Sequence, residues 1–221
     1  MEANHVSCAD CGRIVYRKLN ALFVEKEGVY SNLPMVEAWD IERNAMNCRN
    51  ELPAVAHPPC ERWGRYWFGG PSVKERKKLG DDAGCFAFAL WYVRTYGGIL
   101  EHPEASHAFK FFGLPLPERK GGWSSPDIYG GRSCCVEQGH YGHPARKATW
   151  LYAVKTDYPD LIWGPCEGKM RMDEGFHSKE QAKEMRARPD YVPVKRLSAY
   201  ERLATPVDFR DLLINIARTA R

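Results

Sequence analysis

Short apolar runs separated by polar and turn-forming residues recur through the first two thirds of the chain, and run length decides between strand and helix. Ala21-Leu22-Phe23-Val24, Val36-Glu37-Ala38-Trp39 and Pro53-Ala54-Val55-Ala56 have the length of buried strands, and each leads into polar or turn residues. They are expected to be successive strands of a parallel sheet. The stretch Ala83 to Val93 is a longer, Ala-rich apolar run placed between Asp82 and Gly97-Gly98, which suits a buried helix. Ile99-Leu100 is expected as a brief strand stopped at Glu101-His102-Pro103, and Thr149 to Val154 as a strand rich in β-branched and aromatic residues. In the tail, one helix is expected from Ser178, with Gln181 completing a capping box. Another is expected from Thr205-Pro206, with Phe209, Leu212, Leu213 and Ile216 on one face to dock on the core.

This order of elements implies an α/β fold: a Rossmann-like core with a mostly parallel sheet over residues 21–155. A Cys-containing segment, 1–20, precedes it and a helical extension, 156–221, follows. A hydrophobic content of 44% in 221 residues is enough for one well-packed domain with a small appendage. No run approaches the roughly 18 apolar residues of a membrane span, and no leader pattern opens the chain, so a cytoplasmic protein is expected. The net charge of +4 is mild, but Lys74-Glu75-Arg76-Lys77-Lys78 concentrates positive charge and admits a polyanionic partner. The eight cysteines lack the spacing of a small disulfide framework, which leaves packing, metal binding or catalysis as their roles.

The candidate chemistry lies beyond the strand ends. In Ala56-His57-Pro58-Pro59-Cys60, two prolines fix an extended turn that presents a thiol at the edge of the sheet. Ile99-Leu100-Glu101-His102-Pro103 repeats the arrangement with a carboxylate. If the two strands are neighbours, Cys60 and Glu101 converge on one cleft. A thiolate and an adjacent acid are what nucleophilic activation of a pyrimidine requires, because sulfur adds to C6 while the acid relieves charge developing at N3. Taken alone, Cys60 equally suits a buried apolar thiol and Glu101 a surface carboxylate.

The ordered set His57-Pro58-Pro59-Cys60, Glu101-His102-Pro103 and Tyr141-Gly142-His143-Pro144-Ala145-Arg146-Lys147-Ala148-Thr149 resembles the cytosine-C5 DNA methyltransferase family and its short phage-type relatives. That family carries Pro-Pro-Cys, Glu-Asn-Val or Glu-Asn-Pro, and Tyr-Gly-Val-Pro-Gln-x-Arg-x-Arg in the same order. Ala38-Trp39-Asp40 through Ala45 to Asn50 is similar to its second strand, helix and following Asn. The resemblance covers residues 21–155. It implies a Rossmann-like methyltransferase core and DNA cytosine-C5 methylation, with S-adenosylmethionine as donor and host-cell cytoplasm as location if phage-encoded. It also implies Cys60 as nucleophile, Glu101 at N3 of the base, and Lys147 in place of the first arginine that holds a flipped base. Thr149 replaces the second arginine.

The same resemblance assigns the donor to Phe23, Gly28, Glu37, Asp40 and Pro58, although the family's Phe-x-Gly-x-Gly turn is here Phe23-Val24-Glu25-Lys26-Glu27-Gly28. Glu37 and Asp40 suit ribose hydroxyls or, equally, helix caps and surface charge. Between Cys60 and Asp82, the glycines, arginines and aromatics, with Arg62, Trp63, Arg65, Lys77 and Lys78, suit a mobile loop closing over DNA. They equally suit a solvated loop with aromatics tucked under the core. Arg146 joins them as a nucleic-acid contact. Little chain remains for a target-recognition domain, so selectivity would be low or depend on a protein partner. Cys8-Ala9-Asp10-Cys11-Gly12 has the form of half a zinc site, with Cys134, Cys135, His140 and His143 as candidates to complete it, or of two unligated thiols. Two other functions compete: a pyrimidine-modifying enzyme with another donor or a nucleotide substrate, and a non-catalytic nucleic-acid-binding or anti-restriction protein.

Overall fold

A computed structural model describes residues 6–7, 14–15, 17–69, 74–172 and 179–221. Two short strands, β1 (Val6–Ser7) and β2 (Ile14–Val15), pair antiparallel. The main sheet contains β3 (Leu19–Leu22), β4 (Val36–Trp39), β5 (Ala54–Ala56), β6 (Gly98–Pro103), β7 (Arg132–Glu137) and β8 (Ala148–Val154). Its order is β4-β3-β5-β6-β8-β7, with parallel pairings from β4 to β6 and antiparallel pairings of β8 with β6 and β7. The chain is therefore α/β with a mixed, mostly parallel sheet, compatible with a Rossmann-like core.

From β3 the chain moves outward to β4, then crosses back to β5 on the other side of β3. That reversal makes the carboxyl ends of β3 and β5 a topological switch point, the crevice where ligands gather in open α/β sheets. Gly98 lets β6 lie against β5: its φ is 132°, and a Cβ there would drive into the Ala54 backbone.

Among the described residues the helices are α1 (Cys85–Tyr96), α2 (His107–Phe111), α3 (Lys179–Arg186), α4 (Ala199–Leu203) and α5 (Val207–Arg218). The two-residue period of the strands sorts their side chains onto two faces. Leu22, Ala54, Ala56 and Leu100 pack with Phe86, Leu90 and Val93 of α1 and Phe109 of α2. Leu19, Ala21, Val55 and Ile99 pack with Phe209, Leu213 and Ile216 of α5. Those three α5 side chains are essentially fully buried, contributing roughly 1.5–3 kcal/mol each. Leu212 lies partly buried on the same cluster, so the amphipathic face expected from the sequence docks where it should. No helix of the described residues is long and apolar enough to cross a membrane.

Several elements differ from expectation. β3 ends at Leu22 because Phe23 turns to positive φ, 58°, and breaks the ladder. β6 runs through Pro103, which pairs with Thr149 and does not stop the strand. In place of a helix after Asp40 there are turns and a 3-10 turn, Ala45–Asn47, capped by Asn44. Asp82 caps α1 by accepting from the Gly84 and Phe86 amides, so the helix starts at Cys85. Pro206 occupies the N-cap of α5. Ser178 lies outside the described residues.

Candidate active site

The pairing of Ala56 with Leu100 sets the site, because the next residue on each strand, His57 and Glu101, then faces the α5 side of the sheet. His57 Nδ1 lies 3.0 Å from Glu101 Oε2, and the two side chains are only 13% and 15% exposed. Tyr30, buried in the segment between β3 and β4, brings its hydroxyl to 2.8 Å from His57 Nε2. On the far side, Gln138 Nε2 reaches Glu101 Oε1 at 3.5 Å and donates to Thr149 Oγ1 at 2.9 Å.

Of the three residues expected to act together, Glu101 and Lys147 are near enough for their charges to act on the Cys60 thiol and on each other. Burial pushes the Cys60 thiol up, Glu101 and Glu61 push it further, and Lys147 opposes them. Burial lowers the Lys147 ammonium, against the pull of Glu101 and Cys60. Burial would raise the Glu101 carboxyl, yet the His57 hydrogen bond and the charges of His57, Lys147 and His102 hold it below the ordinary carboxylate range. The Tyr141-Gly142-His143-Pro144 motif forms the connection between β7 and β8 and delivers Lys147 at its end. The Lys147 ammonium is anchored by the carbonyls of Ala204, at 2.7 Å, and Leu203, at 3.3 Å.

His102 supports the loop from the opposite face. Its fully buried ring packs edge-on to Phe86 and its Nδ1 lies 2.6 Å from Ser106 Oγ. Its Nε2 has no well-aligned partner, although the Pro58 and Pro59 carbonyls are near enough to favour a proton there. Desolvation outweighs them and lowers His102 to about 4, so it stays neutral beneath the Pro-Pro turn. Pro58 itself is buried. Neither Tyr30 nor Gln138 carried a signal in the sequence; both come to the site only through tertiary packing.

The remaining assignments fare unevenly. Trp63 is a correction: only 3% exposed, it packs against Phe86, Phe111 and Phe112 and donates to Asp82, so it serves the core and is closed to DNA. Around it the segment is a run of turns tied by Trp63 and Gly64 amides to the Cys60 carbonyl and by Gly80 to Arg62. Arg65, Lys77 and Lys78 are exposed, and Arg62 is half-buried beside Glu61. Arg146 is paired with Glu137 through two hydrogen bonds, 2.9 and 2.6 Å, with its side chain 45% exposed.

The residues assigned to S-adenosylmethionine do not fit it as a set. Glu37 lies mid-strand on the α1 face, paired with Lys18 and Arg43 and bonded by Asn50, away from the carboxyl edge. Asn50 belongs to a network with Asn20 and Tyr92. Asp40 is at the right edge, but its Oδ1 accepts from the Glu42 and Arg43 amides. Gly28 serves its own turn, since a Cβ there would meet Glu25 at 2.9 Å. Phe23 stands edge-on to Phe88. Cys8 and Cys11 lie outside the described residues. Among the described residues, no three His, Cys, Asp or Glu side chains converge on a metal site; Cys134 and Cys135 are buried in β7, and His140 and His143 bond backbone carbonyls.

Two open depressions, of about 330 and 670 Å³, share Arg94, Phe112 and Tyr129 and border neither Cys60 nor Glu101. No protein-family model, curated protein or solved structure matches the chain.

Proposed function

We propose that this protein activates C5 of a pyrimidine, a cytosine-type base in DNA, by adding Cys60 to C6, the acceptor half of a C5-methyltransferase reaction. The observation that supports this reading is the pairing of Ala56 with Leu100, which carries Cys60 and Glu101 to the same end of the sheet, next to the switch point, with Glu101 and Lys147 near enough for their charges to act on the thiol. In the reaction the Cys60 thiol loses its proton to water, the thiolate forms a bond to C6, and the C5–C6 π electrons shift toward C4 and N3. N3 then takes a proton from Glu101, leaving C5 as the carbon nucleophile. Once C5 has bonded an electrophile it loses its hydrogen as a proton to water, that electron pair re-forms the C5–C6 double bond, sulfur leaves as thiolate and N3 returns its proton. Lys147 supports the thiolate and Glu101 as a nearby positive charge. Arg65, Lys77 and Lys78 provide exposed cations for the phosphate backbone.

The misfit of the donor residues favours a second reading of the same site, in which the C5 electrophile comes from another donor or the base is in a nucleotide. One experiment tests the shared chemistry without any donor: release of tritium from C5-labelled cytosine, since a reversible thiol adduct exchanges the C5 hydrogen with water. Release that vanishes in Cys60→Ser, with the fold intact, supports the proposal; no release by the wild type from DNA or nucleotide ends it. Labelled methyl transfer from S-adenosylmethionine to DNA then separates the two readings, and a protein that binds DNA without exchange is a binding module.

A further inference from the structure

Glu101 has the geometry of an acceptor, whereas a cytosine-type base needs a donor. A donor group lies at each of its oxygens, His57 Nδ1 at 3.0 Å from Oε2 and Gln138 Nε2 at 3.5 Å from Oε1. A carboxylate so placed is stabilised in its ionised form, and the lowered Glu101 carboxyl agrees. Cytosine carries no hydrogen at N3, so attack at C6 requires that a proton be brought there.

His57 is placed to hold that proton. Its ring is fixed between Glu101 and the hydroxyl of buried Tyr30, 2.8 Å from Nε2. A hydroxyl both donates and accepts, so Tyr30 satisfies Nε2 whether that nitrogen carries hydrogen or a lone pair. Nε2 therefore keeps its partner whether the ring has gained or given up a proton. The charged and titratable groups around this row are Cys60, Lys147 and His102 beyond Glu101, and Arg210 and Asp211 of α5 beside Tyr30.

We propose that His57 is a positioning residue that carries the proton Glu101 delivers to N3, with Tyr30 holding the ring through both charge states. The assignment rests on the Cys60 reading above. Its balance is simple: the cationic ring passes its Nδ1 proton to Glu101 and becomes neutral, Glu101 passes that proton to N3 as the C6–S bond forms, and the proton returns along the same row to restore the cation when sulfur leaves.

The test is C5 tritium release from cytosine DNA and nucleotide by wild type, His57→Gln, Tyr30→Phe and a Cys60→Ser blank, across about pH 6 to 9. Glutamine keeps a hydrogen-bond donor toward Glu101 but carries no proton. Release by His57→Gln is expected to fall about 10- to 100-fold at the alkaline end. The deficit should shrink as pH falls, because Glu101 then takes its proton from water. Tyr30→Phe, which preserves the ring packing, is expected to show a smaller loss with the same trend. A wild-type to variant ratio that is constant over pH, or full activity in His57→Gln, overturns the assignment and leaves the Cys60 chemistry standing. No release by the wild type removes both.

Discussion

Trp63 Nε1 donates to Asp82 Oδ2 at 2.8 Å, so the segment that follows Cys60 is fastened to the start of α1. The same Asp82 carboxylate accepts from the Phe86 amide at 2.8 Å and the Gly84 amide at 3.0 Å. Indole and helix cap therefore share one carboxylate. Trp63→Ala is expected to lower the unfolding free energy by about 3–5 kcal/mol. Trp63→Phe, which keeps a ring but withdraws the donor, should cost about 1–3 kcal/mol. Urea unfolding of both variants checks the order.

Cys60 is a slow nucleophile at rest. Burial, with help from Glu101 and Glu61, raises its thiol above the ordinary value of 9.0, so the thiolate fraction is small at neutral pH. Alkylation of Cys60, followed by peptide mass, is expected to keep accelerating beyond about pH 9. Glu101→Gln should speed it at a fixed pH, and Lys147→Met should slow it, each by a few-fold. A rate that levels off below about pH 8 contradicts the arrangement.

Acid should destabilise the fold through His102. Its folded value of about 4 lies below the ordinary 6.5. The native state therefore binds a proton less readily than the unfolded chain. No penalty exists above pH 6.5; it grows as pH falls and is complete below about 4. The total is about 3 kcal/mol from linkage. His102→Asn is expected to flatten stability against pH over that window, measured by unfolding at fixed ionic strength.

Glu137 acts at lower pH. It is held at about 2 against desolvation, chiefly by Arg146 and the Cys166 amide. A depressed carboxyl stabilises the fold above its unfolded value of 4.5, and that contribution disappears as pH falls toward 2. Arg146 is 45% exposed, so screening reduces the gain to about 2 kcal/mol. Glu137→Gln should remove the low-pH part of the acid unfolding curve and leave the His102 part unchanged.

If DNA is the partner, Lys77→Ala with Lys78→Ala should reduce the slope of log affinity against log salt by about two, uniformly over sequences. Arg146→Gln should leave that slope unchanged, because its guanidinium is already held by Glu137. Titrations at several salt concentrations distinguish the two.

The strands at 36–39 and 54–56, the helix after Asp82 and the apolar face of α5 were readable from apolar run length and helical period alone. β7 was not: Arg132-Ser133-Cys134-Cys135-Val136-Glu137 is half polar, and it becomes a strand because β8 offers it a partner. The Pro-Pro-Cys stretch marked the end of β5, while Glu-His-Pro proved to be the last three residues of β6, which runs beyond its partner β5 and so still brings Glu101 to the sheet's carboxyl edge. The residues that complete the His57–Glu101 row were hidden for a different reason. Tyr30 and Gln138 lie 71 and 37 residues from Glu101, and no local spacing records a meeting made by packing. Trp63 stayed open between two readings because a tryptophan among glycines and arginines has the same local pattern whether it faces solvent or core.

The guanidinium of Arg210 donates to the carbonyl of Val29, across 181 residues of chain. The α5 helix thus covers a face laid down by the earliest strands of the main sheet. During synthesis, that apolar face has no lid until α5, 181 residues further along the chain, emerges from the ribosome. Closing so wide a loop comes late and slowly, so nascent chains of this protein should rely on chaperones to shield it.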